Sequence, residues 1–233
     1  MSIFRNILMH WKRRFGPYIV EVDGVYIDFR SISSSSVRSL LIKGYYERDE
    51  RKLLGKAVRC GDKVVELGAG IGLIGLISRR IVGTSGDVTS FEANPKLEPV
   101  ILRNYSINAF TPEFVMKAVD VVGEGLNFGV SDDILGSSAE NPDTLLSDRL
   151  DVPSVSLSEV VKTYRPNVII MDVEGSERSL LKCQSLDRVD RVLVEMHPRT
   201  LGRQLCDELE TGMTDRGFSI VERVGDNILF ERL

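Results

Sequence analysis

The sequence predicts an open α/β fold, doubly wound about a seven-stranded, mostly parallel sheet with a C-terminal antiparallel hairpin. Three observations carry this. Strand-length apolar runs alternate with helix-period segments from Lys63 to Arg216. The first run, KVVEL (63–67), leads into Gly68, Gly70 and Gly72 and then into apolar residues at helical spacing (Leu73, Ile74, Leu76, Ile77). That reads as a strand, a tight turn and a helix start, the unit that brings a nucleotide-like ligand close to backbone. The chain closes on FSIVERV-GD-NILFERL, two strand-like runs about a turn, so the last strand is expected to run antiparallel.

The elements follow in order. Residues 1–17 place Phe4, Ile7, Leu8, Trp11 and Phe15 on one face of an amphipathic helix. YIVEV-DG-VYIDF is a hairpin signal, because Asp23-Gly24 accepts the positive dihedrals of a two-residue turn. Ser33 to Ser36 read as a loop, and residues 47–59 as a charged helix ending at Gly61-Asp62. Strands are expected at Lys63–Leu67, Asp87–Glu92, Phe114–Val119, Val168–Val173 and Arg191–His197. Helices are expected at Gly72–Val82, Pro95–Asn108, Ser176–Cys183 and Arg203–Arg216. Residues 125–130 read as a short extra strand, 131–151 as an exposed loop rich in Ser, Asp and Asn, and Val155–Tyr164 as a short strand and helix.

Composition narrows the function classes. The 233 residues suffice for one large α/β domain. A formal net charge of −4 gives no basic field for nucleic acid. Cys60, Cys183 and Cys206 lie far apart and form no metal-type pair, as expected of reduced thiols. No apolar run approaches the ~20 residues of a membrane span, and no leader with a long apolar core is visible, so the expected location is cytoplasmic.

Acids gather where an open α/β sheet places its ligand, at the carboxyl ends of the strands. Glu66 stands just before the first glycine, where a carboxylate suits the ammonium of an amino-acid ligand. Glu92 lies 20 residues beyond Gly72 at the next strand end, where a bidentate acceptor suits a ribose diol. Asn94-Pro95 reads as a helix cap with proline at the first helical position. In VIIMDVEGSE (168–177), Asp172 and Glu174 alternate with Val173, and Glu177 falls in the next helix's first turn. RVLVEMHP (191–198) ends its strand with Glu195 and His197, one of two histidines in the chain. The glycine spacing alone leaves two readings open: Gly68-x-Gly70-x-Gly72 fits a methyltransferase-type turn, and Gly70-x-Gly72-x-x-Gly75 fits a dinucleotide fingerprint.

Together these segments resemble a class I (Rossmann-like) S-adenosylmethionine-dependent methyltransferase, and more narrowly the FkbM family. The resemblance runs from about Tyr45 to Leu233 and rests on GYYE (44–47), VVELGAGIG, SFEANP, IIMDVEGSE, VEMHP and the final hairpin. The family usually has Asp where Glu66 stands and often Asn where Gly70 stands. Both departures keep the acid and the tight turn. The resemblance implies an extension over residues 1–45 and a cofactor-binding domain over 46–233. It implies that Glu66, Gly68, Ala69, Gly70 and Gly72 surround the methionine part of S-adenosylmethionine, and that Glu92, with Ala93 beside it, holds the ribose. Ala118 and Val119 would lie by the adenine edge through backbone groups. Glu47 and Asp172 would frame the methyl-donor end, and Glu174, Glu195 and His197 the acceptor side.

The expected reaction is O-methylation of a small molecule or sugar hydroxyl. An alcohol must lose a proton, so His197 or Asp172 is the candidate general base. An NAD-dependent oxidoreductase is the rival enzyme, although the chain has no Tyr-x-x-x-Lys pair and no room for a second catalytic domain. A cofactor-binding scaffold without catalysis is the non-enzymatic alternative. Asp172, Glu174, Glu195 and His197 are competent ligands for a divalent cation, but spacing does not show that they converge, so no metal set is assigned. The expected partner is a small-molecule or glycan acceptor, not nucleic acid, with homo-oligomerisation left open. The face of the 1–17 helix is expected to pack on the sheet or a second subunit, the alternative being a membrane surface with Trp11 and Phe15 inserted.

Overall fold

The computed structural model describes residues 18–129 and 149–233, so the 1–17 helix and most of the 131–151 segment lie outside the described residues. The chain enters through a hairpin, β1 (Ile19–Val22) and β2 (Val25–Asp28). Its turn places Asp23 at φ 49° and Gly24 at φ 82°, the left-handed pair that the Asp-Gly dipeptide accommodates. A helix, α1 (Ser35–Lys43), follows where the serine run reads as loop. Ser34 caps it, its side chain accepting from the Val37 N–H, and Gly44 closes it at φ 73°. Serine signals a cap as readily as a loop, and only the packed Val37 and Leu41 behind it decide between them.

After α2 (Arg48–Ala57) comes the alternating core: β3 (Lys63–Leu67), α3 (Leu73–Val82), β4 (Asp87–Phe91), α4 (Glu98–Ile107) and β5 (Phe114–Val115). Asn94 caps the turn before α4 by accepting from the Lys96 N–H, with Pro95 in the first helical position. The expected third strand is divided. Only Phe114–Val115 joins the main sheet, and β6 (Ala118–Asp120) pairs in parallel with β9 (Ser154–Ser156) as a separate ribbon. β7 (Leu126–Gly129) is the extra strand. It pairs with β8 (Arg149–Val152), so residues 149–151 are strand rather than loop.

The remainder is α5 (Leu157–Tyr164), β10 (Val168–Met171), α6 (Glu177–Leu180), β11 (Arg191–Glu195), α7 (Pro198–Leu201), α8 (Arg203–Asp215), β12 (Phe218–Val224) and β13 (Asn227–Arg232). The main sheet has the order β12-β13-β11-β10-β3-β4-β5. The five strands from β11 to β5 pair in parallel, and β13 runs antiparallel to both its neighbours. β10 is buried at every position (VIIM), as a parallel strand covered on both faces must be.

One core layer joins Val64 and Ile170 to the hairpin, α1 to α4 and the residues between, including Ile27, Ile32, Leu41, Leu53 and Ile101. The other joins Val65, Leu67, Ile169 and Met171 to α5, α6 and α8. At the amino ends of the strands a buried ion pair holds the sheet. Arg191 donates to both oxygens of Asp62 at 3.0 and 2.9 Å and to the Ala57 carbonyl, while Asn167 donates to Asp62 Oδ1. The chain leaves β3 outward toward β5 and returns on the other side to β10. This reversal opens a crevice at the carboxyl ends of β3 and β10.

Candidate active site

At the exit of β3, Gly68 adopts φ 89°, and a Cβ built there would lie 1.8 Å from the Asp172 carbonyl oxygen. The ends of β3 and β10 therefore touch only because no side chain intervenes. The Gly68 and Ala69 N–H groups both donate to the Phe91 carbonyl, tying the turn to β4. Gly70 (φ 54°) donates its N–H to Glu92 Oε2 at 2.8 Å, and its open side faces the Tyr46 hydroxyl and Glu47. Gly72 instead faces Ile101 and Tyr105 of α4, where it serves packing.

The strand-end acids lie at two depths. Glu66 is 2% exposed beneath the turn. Its Oε2 accepts from Ser90 and its Oε1 has no partner. Burial pushes it up to about 8, against the lowering bonds from Ser90 and the Gly75 backbone. Glu92 is 6% exposed, not a solvated strand end. Its Oε1 accepts from the Asn94 N–H at 2.7 Å, and burial outweighs its backbone bonds and raises it to about 7.

The second group surrounds a cavity of about 480 Å³ whose walls include Tyr46, Glu47, Glu50, Asp172, Glu195 and His197, with Glu174 beside them. The loop after β10 turns sharply, with Glu174 at φ 50° and Gly175 at φ 113°. Glu177, 0% exposed at its side chain, receives the Gly175 N–H at 2.8 Å and the Val173 N–H at 3.4 Å. It also receives the His197 Nδ1–H at 2.8 Å. Facing a carboxylate, Nδ1 must carry the proton. His197 Nε2 points the other way, 3.4 Å from Asp172 Oδ1 and 3.5 Å from Glu174 Oε2.

Burial and mutual repulsion raise the cavity carboxyls: Glu174 and Glu195 to about 7, and Glu47, Glu50 and Asp172 above their ordinary range. For His197, burial opposes the charge, but the bond to Glu177 and the charges of Glu177, Asp172 and Glu174 prevail and raise it to about 10. With Nε2 facing only carboxyl groups the surroundings favour the protonated ring, and a cation at Nε2 would take that proton's place.

Of the residues singled out from sequence, Glu47, Asp172, Glu174, Glu195 and His197 line this one cavity. Gly68, Ala69, Gly70, Glu92 and Ala93 form the adjoining turn and strand end, and Glu66 lies under it. Ala118 and Val119 sit on the separate ribbon, where the Ala118 N–H is taken by the Pro153 carbonyl. Sequence reasoning missed Glu50, which repeats Glu47 at a helical i, i+3 interval, and Glu177 as the partner of His197. The i, i+3 spacing is a legible signal; the Glu177–His197 pairing spans 20 residues and has none.

The strand order with its switch-point crevice, the single antiparallel strand beside β11 and the glycine turn define a class I S-adenosylmethionine-dependent methyltransferase fold. Solved structures are similar to this chain. TrmN from Thermus thermophilus superposes with a TM-score of 0.50 at 12% identity, over 88% of this chain and 53% of that one. A SAM-dependent O-methyltransferase from Thermotoga maritima gives 0.49 at 12% identity over 81% and 66%. Precorrin-6y C5,15-methyltransferase from Geobacter metallireducens GS-15 gives 0.49 at 10% identity over 81% and 89%. No curated protein matches the chain. Residues 66–220 match the methyltransferase FkbM domain, and the chain belongs to that family.

It is accordingly a methyltransferase with S-adenosylmethionine as cofactor, and the NAD-dependent alternative falls away. The residues present fit that group. The side of Gly70 is open as far as Tyr46 and Glu47, and two buried oxygens, Glu47 Oε2 and Glu66 Oε1, have no partner. Among the described residues no helix is long and apolar enough to cross a membrane.

Proposed function

We propose that the enzyme methylates a hydroxyl oxygen of a small molecule or sugar held in the cavity between α2 and the ends of β10 and β11. The observation that carries this is the composition of the cavity wall: seven carboxyl side chains, Glu47, Asp49, Glu50, Asp172, Glu174, Glu195 and Asp226, with one imidazole and one guanidinium, Arg48. Such a wall offers few cations to a phosphate backbone and suits a neutral, hydroxyl-rich acceptor, because carboxyl oxygens accept from hydroxyls.

When bound, the cofactor supplies a methyl group activated by its positive sulfur. Gly68 and Gly70 would let it approach the backbone of the turn, and the second lone pairs of Glu92 would remain for the ribose hydroxyls. Glu47, with Tyr46 bonded to it, would close the methyl-donor end from above. Glu66 would reach the ligand's ammonium only through Oε1, its oxygen without a partner. Asp172 or Glu195, both on the cavity wall, would take the proton of the acceptor hydroxyl. Glu177 holds His197 in one orientation, so the wall facing the acceptor is preorganised.

The test is methyl transfer from isotopically labelled cofactor to a panel of glycosides, polyols and phenols beside RNA and protein. O-methylated products from the hydroxyl compounds are expected, together with release of S-adenosylhomocysteine. Label found only in RNA or protein, or on nitrogen, would refute the proposal. Cofactor binding with no transfer to any acceptor would favour the non-catalytic scaffold.

A further inference from the structure

The geometry points to a divalent transition-metal site formed by Asp172, Glu174 and Nε2 of His197, with its open positions turned toward the acceptor cavity. This deepens the proposed acceptor site and rests on that reading for the identity of what fills the cavity. One donor atom from each residue lies within 4.8 Å of the other two. All three residues line the cavity. Glu195, the fourth ligand considered from sequence, lies outside the group.

The two nitrogens of His197 differ in a telling way. Nδ1 stands 2.8 Å from Glu177, the length of a charge-assisted hydrogen bond. Nε2 stands 3.4 and 3.5 Å from two carboxylate oxygens, longer than the bond at Nδ1. Ligands each ~2.1 Å from one ion stand roughly 3 to 3.5 Å apart at coordination angles of about 90–110°. The separations at Nε2 are thus those of neighbouring ligands on a common ion. Asp172 Oδ1, one of the two oxygens involved, is a buried atom with no hydrogen-bond partner.

The surrounding shell has the form a metal-binding histidine requires. A ligand imidazole hands its other N–H to a carboxylate, which fixes the tautomer and aims the ring. Glu177 does this from a fully buried position, and it is itself held by the Val173 and Gly175 N–H groups of the loop that carries Asp172 and Glu174. One buried carboxylate therefore sets the relative positions of all three ligands. Two oxygens and one imidazole nitrogen suit Mn²⁺ or a similar transition ion better than Mg²⁺ or Ca²⁺, which favour all-oxygen sets. Three protein ligands leave positions for two adjacent acceptor oxygens, which favours vicinal hydroxyls.

The experiment uses the full chain dialysed against chelator and titrated calorimetrically with Mn²⁺, with Mg²⁺ in parallel and S-adenosylhomocysteine binding measured on the same samples. One Mn²⁺ per chain is expected, bound at least tenfold more tightly than Mg²⁺. His197→Gln and Glu174→Gln should each weaken Mn²⁺ at least tenfold, and the positioning variant Glu177→Gln by ~10–100-fold. All three should keep wild-type affinity for S-adenosylhomocysteine, which also reports that they fold. Glu174 is a third exposed, so its variant keeps the test decisive if His197→Gln fails to fold. Absence of saturable Mn²⁺ uptake, or uptake undiminished in the folded variants, overturns the site. Nucleoside binding without Mn²⁺ uptake removes the cation alone, and methyl transfer to RNA alone removes the acceptor reading instead.

Discussion

Replacing Gly68 by alanine tests how the crevice is built. The added Cβ would meet the Asp172 carbonyl oxygen at 1.8 Å, and relief to even 3.0 Å means parting the exits of β3 and β10 by about 1.2 Å. That movement breaks the bond from the Asp172 N–H to the Leu67 carbonyl, now 2.9 Å. Losing it costs ~0.5–1.5 kcal/mol. Holding a residue with a side chain at φ 89° costs a further ~1–2 kcal/mol. A loss of about 1.5–3.5 kcal/mol lowers the melting midpoint of a chain this size by roughly 3–14 °C. Because the displacement falls on Asp172 and the glycine turn, affinity for S-adenosylhomocysteine should fall at least tenfold. Gly212→Ala is the matched control. It lies inside α8 with nothing within 4 Å of the new Cβ, and alanine there should raise stability by ~0.5–1 kcal/mol. Thermal melts and calorimetric titration of both variants decide the matter. A Gly68→Ala protein that melts with wild type and binds the nucleoside equally would refute the claim that strand contact requires the missing side chain.

Asp62→Asn leaves Arg191 buried without its counter-charge and should cost ~3–5 kcal/mol at neutral pH, read as a fall in denaturant midpoint. Burial works against the Asp62 charge, but bonds from Arg191, Asn167 and the Arg59 backbone prevail and hold its carboxyl below the usual range. Its contribution is complete above the unfolded value of about 3.9 and is lost as pH falls through the lower folded one. The variant should therefore show a shallower acid loss of stability below about pH 4, and an unchanged acid limb would contradict the pairing. Glu66 has the opposite sign. Raised to about 8 by burial, it favours the cofactor-free fold when protonated, a contribution present below about pH 4 and lost as pH rises toward 8. Glu66→Gln should gain on wild type across that window by at most ~1.4 kcal/mol per pH unit, and a stability difference that stays flat with pH would remove Glu66 as an uncharged buried acid.

Local pattern was enough for the framework. Alternating apolar runs, the Asp23-Gly24 turn and the closing hairpin predict the elements and the one antiparallel strand, because burial of a face imposes its period on the residues that make it. Strand-end acids could be named from sequence because an open parallel sheet presents its ligand at that edge. Boundaries were less legible. The serine run could be loop or cap, and the break of the third strand at Met116-Lys117 depends on pairing with residues 154–156.

What the sequence by itself determined was a sheet, a glycine turn and a row of acids at strand ends, since periodicity and backbone dihedrals are local properties. What only the tertiary structure decided was which of those acids share a volume. Glu66 lies beneath the turn and Glu92 is bound to it, while Glu47 and Glu50 meet Asp172 across the cavity. The character of His197 was decided in the same way. Its charge and orientation come from Glu177, Asp172 and Glu174, groups up to 25 positions away along the chain but within 3.5 Å in space. Ionisation and coordination follow distance and burial, and those exist only once the strands have been laid side by side.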